Sequence, residues 1–528
     1  MCAKIKLYCL CLMLFVGVSC KKNPVLDDAA LQLIPKTAWQ VTSFQLKSLM
    51  AKSDYTNSVQ LPVFQDKIKT IAGDNSALSS MLLNPKAAGV NTEGRVYFFV
   101  NGGGGSPNMP TSEGSAYTAF VVNLLDATAF EAVIKSAKLE ISDMNDCKMT
   151  KKGDVTIAWN AKTAFVGTGE MSAKTIASFF VAKKESSVVS EASLADAFNN
   201  DKDINTWISS NPFTKMMDKG TLLQMKQAGF DAEALNNNFA TNTLNFEAAK
   251  MVGKSSFMVQ SGFEKQFGIL FSDKVSTDFG QYLPQKQLYF SFVNGLSTKG
   301  IVQFIKEKPQ MNGLISMFAA ANHISIDNLS KGFGGDICLA LYNDKGVQSG
   351  AFMMNIIEKE AAKKLLGLLE KNEVLKSTGT DEYMLSSEIA KGLNGAKREY
   401  IGSTKTNGEP SILLIKNNIL CLTDRADIAE QFRKGGYDAA TRLSKDNTNL
   451  LTNSILGQFS DGKVFSDSIM QRYIIGNSLS LTRKGGDFEL NTANKTENAL
   501  KSLLFMYNEQ YLQQKSMVKK EDALSESR

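Results

Sequence analysis

Histidine is nearly missing from this chain of 528 residues: His323 is the only one. A two-histidine zinc helix is therefore excluded, and a mixed cysteine–histidine metal site lacks its ligands. A serine–histidine–aspartate triad would have to use His323, yet no G-x-S-x-G elbow occurs to offer the nucleophile. His323 stands in Asn322-His323-Ile324-Ser325-Ile326-Asp327 and reads as a surface or helix-end residue. Tryptophan is scarce as well. Trp39, Trp159 and Trp207 each have apolar neighbours, which points to core packing rather than an exposed platform for sugar rings. Concentrated charge is absent: the formal net charge is +6, with no cluster of four basic residues, so nucleic acid is not an expected partner. Beyond the first twenty residues long apolar runs are missing too. The best, from Phe120 to Ile134, is broken by Asn123, Asp126 and Glu131, which excludes a second membrane span. With 43% hydrophobic and 21% charged residues, the remainder has an ordinary globular composition.

What is present begins at the N-terminus. Lys4 and Lys6 precede the apolar run Leu7 to Val16, and the small residues Gly17 and Ser19 lead into Cys20. A basic start, a short greasy middle and a small-residue cleavage site are the three parts of a secretory signal. Ten or so apolar residues are too few to span a bilayer as a helix, which needs roughly 20. The cysteine placed just after the small residues makes the stretch resemble a bacterial lipoprotein signal, in which that cysteine is lipidated and becomes the mature N-terminus. One position departs from that pattern: Gly17 stands where Leu, Val or Ile is usual. The alternative is an ordinary signal peptide cut near Ser19. The expected layout is a signal peptide over 1–19 and a lipidated tether over 20–33, with the membrane as the first partner. Processing would leave 509 residues and a charge of +4, since Lys4 and Lys6 depart.

Four cysteines survive such processing: Cys20, Cys147, Cys338 and Cys421. With Cys20 acylated, three remain, so no disulfide framework holds the protein. Cys338 and Cys421 lie in apolar strand-like runs and read as buried free thiols, a single bridge between them being the alternative.

From Ile34 onward five segments recur in the same order. Ile34-Pro35-Lys36 opens a strand running into Leu46, Leu49 and Met50 at helical spacing; Leu283-Pro284-Gln285 opens its counterpart, running into Ile301, Phe304 and Ile305. The run Arg95–Asn101 matches Asp336–Asn343. Phe120-Val121-Val122 and a helix through Phe130, Val133, Ile134 and Ala137 match Phe352-Met353-Met354 and a helix through Leu365, Leu366 and Leu369. A hairpin turning at Ala161-Lys162 matches one turning at Asn417-Asn418, and Asn suits the left-handed backbone of such turns. Each is followed by a helical region, extending in the first case from Ser172 to about Leu244. A closing hairpin is expected at Phe257 and Val259, turning near Gly262 into Phe267, Ile269 and Phe271; it matches Leu479 and Leu481, turning at Lys484-Gly485-Gly486 into Phe488 and Leu490. A last helix carries Leu500, Leu503, Leu504, Tyr507 and Tyr511. The expected fold is α+β in two similar halves, 34–275 and 276–511, each a mainly antiparallel sheet with helices on one face, followed by a disordered tail over 512–528.

The Ile-Pro-Lys opening, the strand running into Leu46-Lys47-Ser48-Leu49, and the lipoprotein start resemble a Bacteroidota lipoprotein family catalogued only as a domain of unknown function. The resemblance spans nearly the whole mature chain, implies a cell-envelope location and transfers no catalytic residue. Lys21-Lys22 directly after Cys20 lack the acidic cluster that resembles surface-export signals in this lineage, and Asp27-Asp28 come later. An outer-membrane anchor facing the periplasm is expected.

Other motifs offer little chemistry. The glycine-rich stretches Asn101 to Pro107 and Lys331 to Asp336 lack the following helix and Lys-Ser/Thr of a phosphate loop, so both read as flexible hairpin loops, the first of them a possible recognition loop. The Ser-x-x-Lys pattern at Ser516 to Lys519 falls in the polar tail. Acidic pairs at Asp27-Asp28, Asp201/Asp203 and Asp381-Glu382 read as solvated loop charges. No cofactor, metal ligand or catalytic residue is assigned; Cys20 is the one expected site, for lipid. The leading reading is a non-catalytic envelope lipoprotein binding or scaffolding a protein or glycan partner. A hydrolase with carboxylates in a cleft between the halves is the alternative, and an assembly or chaperone role with an elongated apolar groove a third.

Overall fold

A computed structural model describes residues 28–526 except 74, 103–116, 145, 170, 322–323, 345–346, 387–410 and 466. Cys20, Asp27, His323 and most of the first glycine-rich stretch lie outside the described residues. The chain forms two compact units. One holds residues up to Asp218, Leu235–Met258, and everything from Asn491 onward; the other holds Lys219–Ala234 and Val259–Leu490. The expected boundary at 275/276 therefore falls inside the second unit, and the chain passes between units more than once.

Among the described residues the first unit is built on ten strands: β1 Ala38–Gln45, β2 Arg95–Asn101, β3 Tyr117–Asn123, β4 Ser142–Met144, β5 Cys147–Lys152, β6 Val155–Trp159, β7 Thr163–Thr168, β8 Ile204–Ser209, β9 Phe239–Glu247 and β10 Lys250–Met258. They pair antiparallel in the order 4-5-6-7-3-2-1-8-9-10. The second unit holds β11 Leu288–Gly295, β12 Phe333–Asp344, β13 Val347–Ile356, β14 Leu375–Gly379, β15 Glu382–Leu385, β16 Ile412–Lys416, β17 Ile419–Thr423, β18 Leu456–Asp461, β19 Ile474–Thr482 and, as far as Leu490, β20 Gly485–Thr492. Their order is 14-15-16-17-13-12-11-18-19-20. The registers follow suit. A bulge interrupts β1 between Ala38 and Gln40 and β11 between Leu288 and Phe290. The cross-strand row Trp207–Val41–Phe99–Ala119–Gly167–Thr156 has as its counterpart Phe459–Ser291–Ala340–Ala351–Thr423–Ile412.

Helices cover both faces of each sheet, not one. Runs such as Val96-Tyr97-Phe98-Phe99 are apolar at successive positions, which is the pattern of a strand buried on both sides. Tyr97 and Phe99 enter a core with Trp207, Phe165 and Phe198, beneath the helices Ala173–Phe180 and Ala192–Phe198. On the opposite face Val96 meets Leu46 of the helix Leu46–Ser53, while Trp159 packs edge-on to Phe130 of the helix Ala127–Ser136 with ring centroids 5.9 Å apart. In the second unit one core gathers Cys338, Met353, Cys421, Ile428 and Phe432 under the helix Ala426–Lys434. The other gathers Leu366, Leu413 and Leu420 under the helix Lys359–Lys371.

Three local expectations change. Strand β8, Ile204–Ser209, interrupts the helical region expected from Ser172 to about Leu244. The closing hairpin of the first unit is β9–β10, paired from Phe239↔Met258 to Glu247↔Lys250, and Ser261–Phe267 is a helix. Thr241, Asn242, Thr243 and Asn245 hid β9 behind a polar composition. The turn also lacks a Gly or Asn signal: Ala249 takes the left-handed backbone there, with φ 63°. The polar tail is not disordered, because a helix runs over Ala499–Glu526. Its Lys, Glu, Gln, Met and Ala content favours helix without burial, and Tyr511 and Lys515 tie it to Asp66 at 2.7 and 2.5 Å.

Candidate functional site

The most deeply buried carboxylate among the described residues is Asp203, fully shielded from solvent and contrary to the solvated loop charge expected there. It directly precedes β8, whose first residue, Ile204, packs with Phe44, Leu244 and Phe246 against the helix Leu46–Ser53. On that helix Ser48 and Lys52 stand four residues apart and so share a face. Ser48 Oγ donates to Asp203 Oδ1 at 2.5 Å. Lys52 Nζ and the Phe246 backbone N–H both donate to Oδ2, each at 2.7 Å. Lys52 Nζ donates a second bond to Asn245 Oδ1 at 2.8 Å, and Asn245 Nδ2 donates to Glu247 Oε1 at 3.1 Å. One strand end, one helix face and the β9 backbone therefore converge on a single carboxylate.

Three of the four lone-pair positions of Asp203 are filled by the protein itself. A general base must reach the proton of its substrate, and this one presents no surface to an outside molecule. What it does touch is an amine, a hydroxyl and, through the amine, a side-chain amide.

Among its described residues the second unit has two buried carboxylates, Asp336 and Asp424; Asp424 Oδ1 accepts from the Gly350 N–H at 2.7 Å. Asp336 Oδ2 accepts from the backbone N–H and hydroxyl of Ser276, both at 2.9 Å, and from those of Thr277 at 3.1 and 3.0 Å. That arrangement pins the segment ahead of β11 and is structural. Asp381 is ion-paired with Lys359 and Lys363, and Glu382 accepts a two-pronged bond from Arg433 at 2.7 and 3.1 Å.

The remaining expectations find their places. Trp159 and Trp207 are buried in cores and Trp39 is half-buried. The stretch Lys331 to Asp336 is no flexible loop. The helix Ile326–Gly332 runs straight into β12, and a Cβ on Gly335 (φ 100°) would lie 2.2 Å from the Leu296 carbonyl oxygen. Cys147, Cys338 and Cys421 are free and buried. Cys338 and Cys421 both pair with Met353, from opposite sides. That puts them two strand spacings apart, about 9.5 Å, beyond the roughly 7 Å that a disulfide can bridge. Ser516 is exposed on the last helix, its hydroxyl donating to Gln513. Among the described residues no group of three or more His, Cys, Asp or Glu could hold a metal ion, and no helix is long and apolar enough to cross a membrane. Ser48, Lys52 and Asn245 went unnoticed in the sequence, where only the i, i+4 spacing of Ser48 and Lys52 hints at them.

The model of one protein family, described as "Domain of unknown function (DUF4836)", matches residues 31–439. A search of curated proteins returned no match. Among solved structures the chain is similar to TP0453 in three crystal forms. Form I matches at 11% identity and TM-score 0.24 over 47% of this chain and 84% of that one. Form IV matches at 11% and 0.25 over 46% and 83%, and form III at 8% and 0.20 over 76% and 93%.

Proposed function

The chain belongs to this family of unknown function, and from that premise we propose that it is a lipid-anchored protein of a Bacteroidota cell envelope. Its role there is to bind or scaffold a protein or glycan partner without catalysis. The observation that carries the anchor is the layout Lys4 and Lys6, Leu7 to Val16, Gly17 to Ser19, then Cys20. The N-terminal lipid holds the protein in the outer membrane facing the periplasm. Support for the non-catalytic role is the state of two buried carboxylates: Asp203 and Asp336 are consumed by bonds to their own chain. We infer further that the two units are copies of one ten-strand plan, which the shared strand order and the shared bulge support.

Metabolic labelling with an alkyne fatty acid tests the anchor. The wild type takes up label and sediments with membranes, and Cys20→Ala loses both; label retained in Cys20→Ala overturns the reading. Crosslinking in intact envelopes should capture a specific protein or glycan. Turnover of an envelope polysaccharide, lost on converting a single carboxylate to its amide, would install the hydrolase instead.

A further inference from the structure

Lys52, Asn245 and Asp203 form a group whose parts fit a reaction with one another. The Lys52 amine nitrogen lies 2.8 Å from the side-chain oxygen of Asn245, on a strand 193 residues further along. The same nitrogen lies 2.7 Å from a carboxylate with no exposure to solvent. Leu49, Met50, Leu244 and Phe246 supply an apolar surround. Lys52 itself is largely covered, its side chain 26% exposed. Ser48 and the Phe246 N–H hold the carboxylate in place, and Glu247 holds the amide through its nitrogen. Nucleophile, acyl carbon and proton carrier are thus preassembled, and such placement replaces an encounter that is improbable in free solution. A lysine amine attacks carbonyl carbon once a neighbouring group has taken its proton.

We propose that Lys52 and Asn245 become joined by a side-chain amide bond, formed by the protein on itself with Asp203 as the proton carrier. Asp203 takes a proton from the Lys52 ammonium, and the freed Nζ attacks Asn245 Cγ. Asp203 returns the proton to Nδ2 of the tetrahedral centre. The Cγ–Nδ2 bond then breaks, Nδ2 leaves as ammonia, and the second Nζ proton departs with it. One N–C bond forms, one breaks and no electrons change hands, so no oxidant or cofactor is required. Asp203 ends as it began. The second unit cannot do this, because the ladder positions of Asp203 and Asn245 are there Ile455 and Thr482.

The test is a tryptic peptide map of the full-length protein purified from envelopes, read by tandem mass spectrometry. The expected result is a branched peptide joining the Lys52 and Asn245 segments, lighter than their sum by one ammonia, with no cleavage after Lys52. Asn245→Ala keeps the Lys52–Asp203 pair, should fold, and should restore cleavage after Lys52. Asn245→Asp should give a branched peptide of the same mass as the wild type, this time by losing water. Asp203→Asn retains both reacting side chains and should lose the branch. Linear peptides ending at Lys52 in the wild type would overturn the proposal, and so would a branch mapping to Asp203 itself.

Discussion

The two units pair their strands in the same order and differ in what they place on them. On the row through the middle of each sheet, the first unit sets Trp207, Val41 and Phe99 where the second sets Phe459, Ser291 and Ala340. Two rows along, on the same face, Tyr97 and Phe165 are answered by Cys338 and Cys421. Next to β8 the buried Asp203 is answered by the apolar Ile455, although both backbones make the same bond: Gln45 N–H donates to the Asp203 carbonyl at 2.8 Å and Gly295 N–H to the Ile455 carbonyl at 2.6 Å. A backbone bond asks nothing of the side chain. One scaffold can therefore carry a polar cluster in one unit and a greasy plug in the other.

Exchanging those two residues is the sharpest way to break the comparison. Ile455→Asp buries a carboxylate with neither Ser48 nor Lys52 to meet it, and should cost about 3–5 kcal/mol, as expected for an uncompensated buried charge. Asp203→Ile strands the Lys52 amine and the Phe246 N–H and should cost a similar amount; urea unfolding measures both. If both substitutions were neutral, the cluster would have no structural weight. Trp207→Ala should remove about 3–5 kcal/mol, and Phe459→Ala, at a half-buried site, clearly less. Gly335→Ala, forced into a left-handed backbone against the Leu296 carbonyl, should cost about 1–3 kcal/mol. The smallest effect concerns the thiols. Burial pushes Cys421 up to about 12 and Cys338 higher still. A raised folded value means that the stability of the neutral thiol is complete below its unfolded value of 9.0 and declines as pH climbs toward about 12. At pH 8 neither thiol should react with a coloured disulfide reagent until urea unfolds the protein. Prompt reaction of the folded protein would show the second unit's core to be open.

Much of this architecture is legible in the chain. The Phe120–Val122 and Phe352–Met354 segments lie in strands β3 and β13, and the turns at Ala161-Lys162 and Asn417-Asn418 join β6 to β7 and β16 to β17, as expected. Regular apolar runs with turn residues between them carry their own register. Strand β9 escaped because half-buried Thr and Asn occupy much of it and its turn uses an alanine. The second helical layer departs from the expectation of helices on one face because short-turned hairpins imply an antiparallel sheet, which commonly leaves one face to water. The Asp203 cluster was out of reach for another reason: Ser48, Lys52, Asp203 and Asn245 span about two hundred positions, and no local pattern relates them. An acidic pair such as Asp201/Asp203 looks the same whether one member faces water or the protein interior.

The last helix also fixes an order of events. Ala499, Leu500 and Leu504 share a core with Leu49, Met50, Val63 and Phe64, so a wall of the first unit is supplied by the end of the chain. While the chain emerges from the ribosome, that core has no wall. Its apolar side chains stay open for the time needed to make the intervening four hundred or so residues, at about 5–20 residues per second. The unit begun first is finished last. A chain cut short before Ala499 presents an open greasy surface, a form that quality-control proteases and holding chaperones can distinguish from the finished molecule.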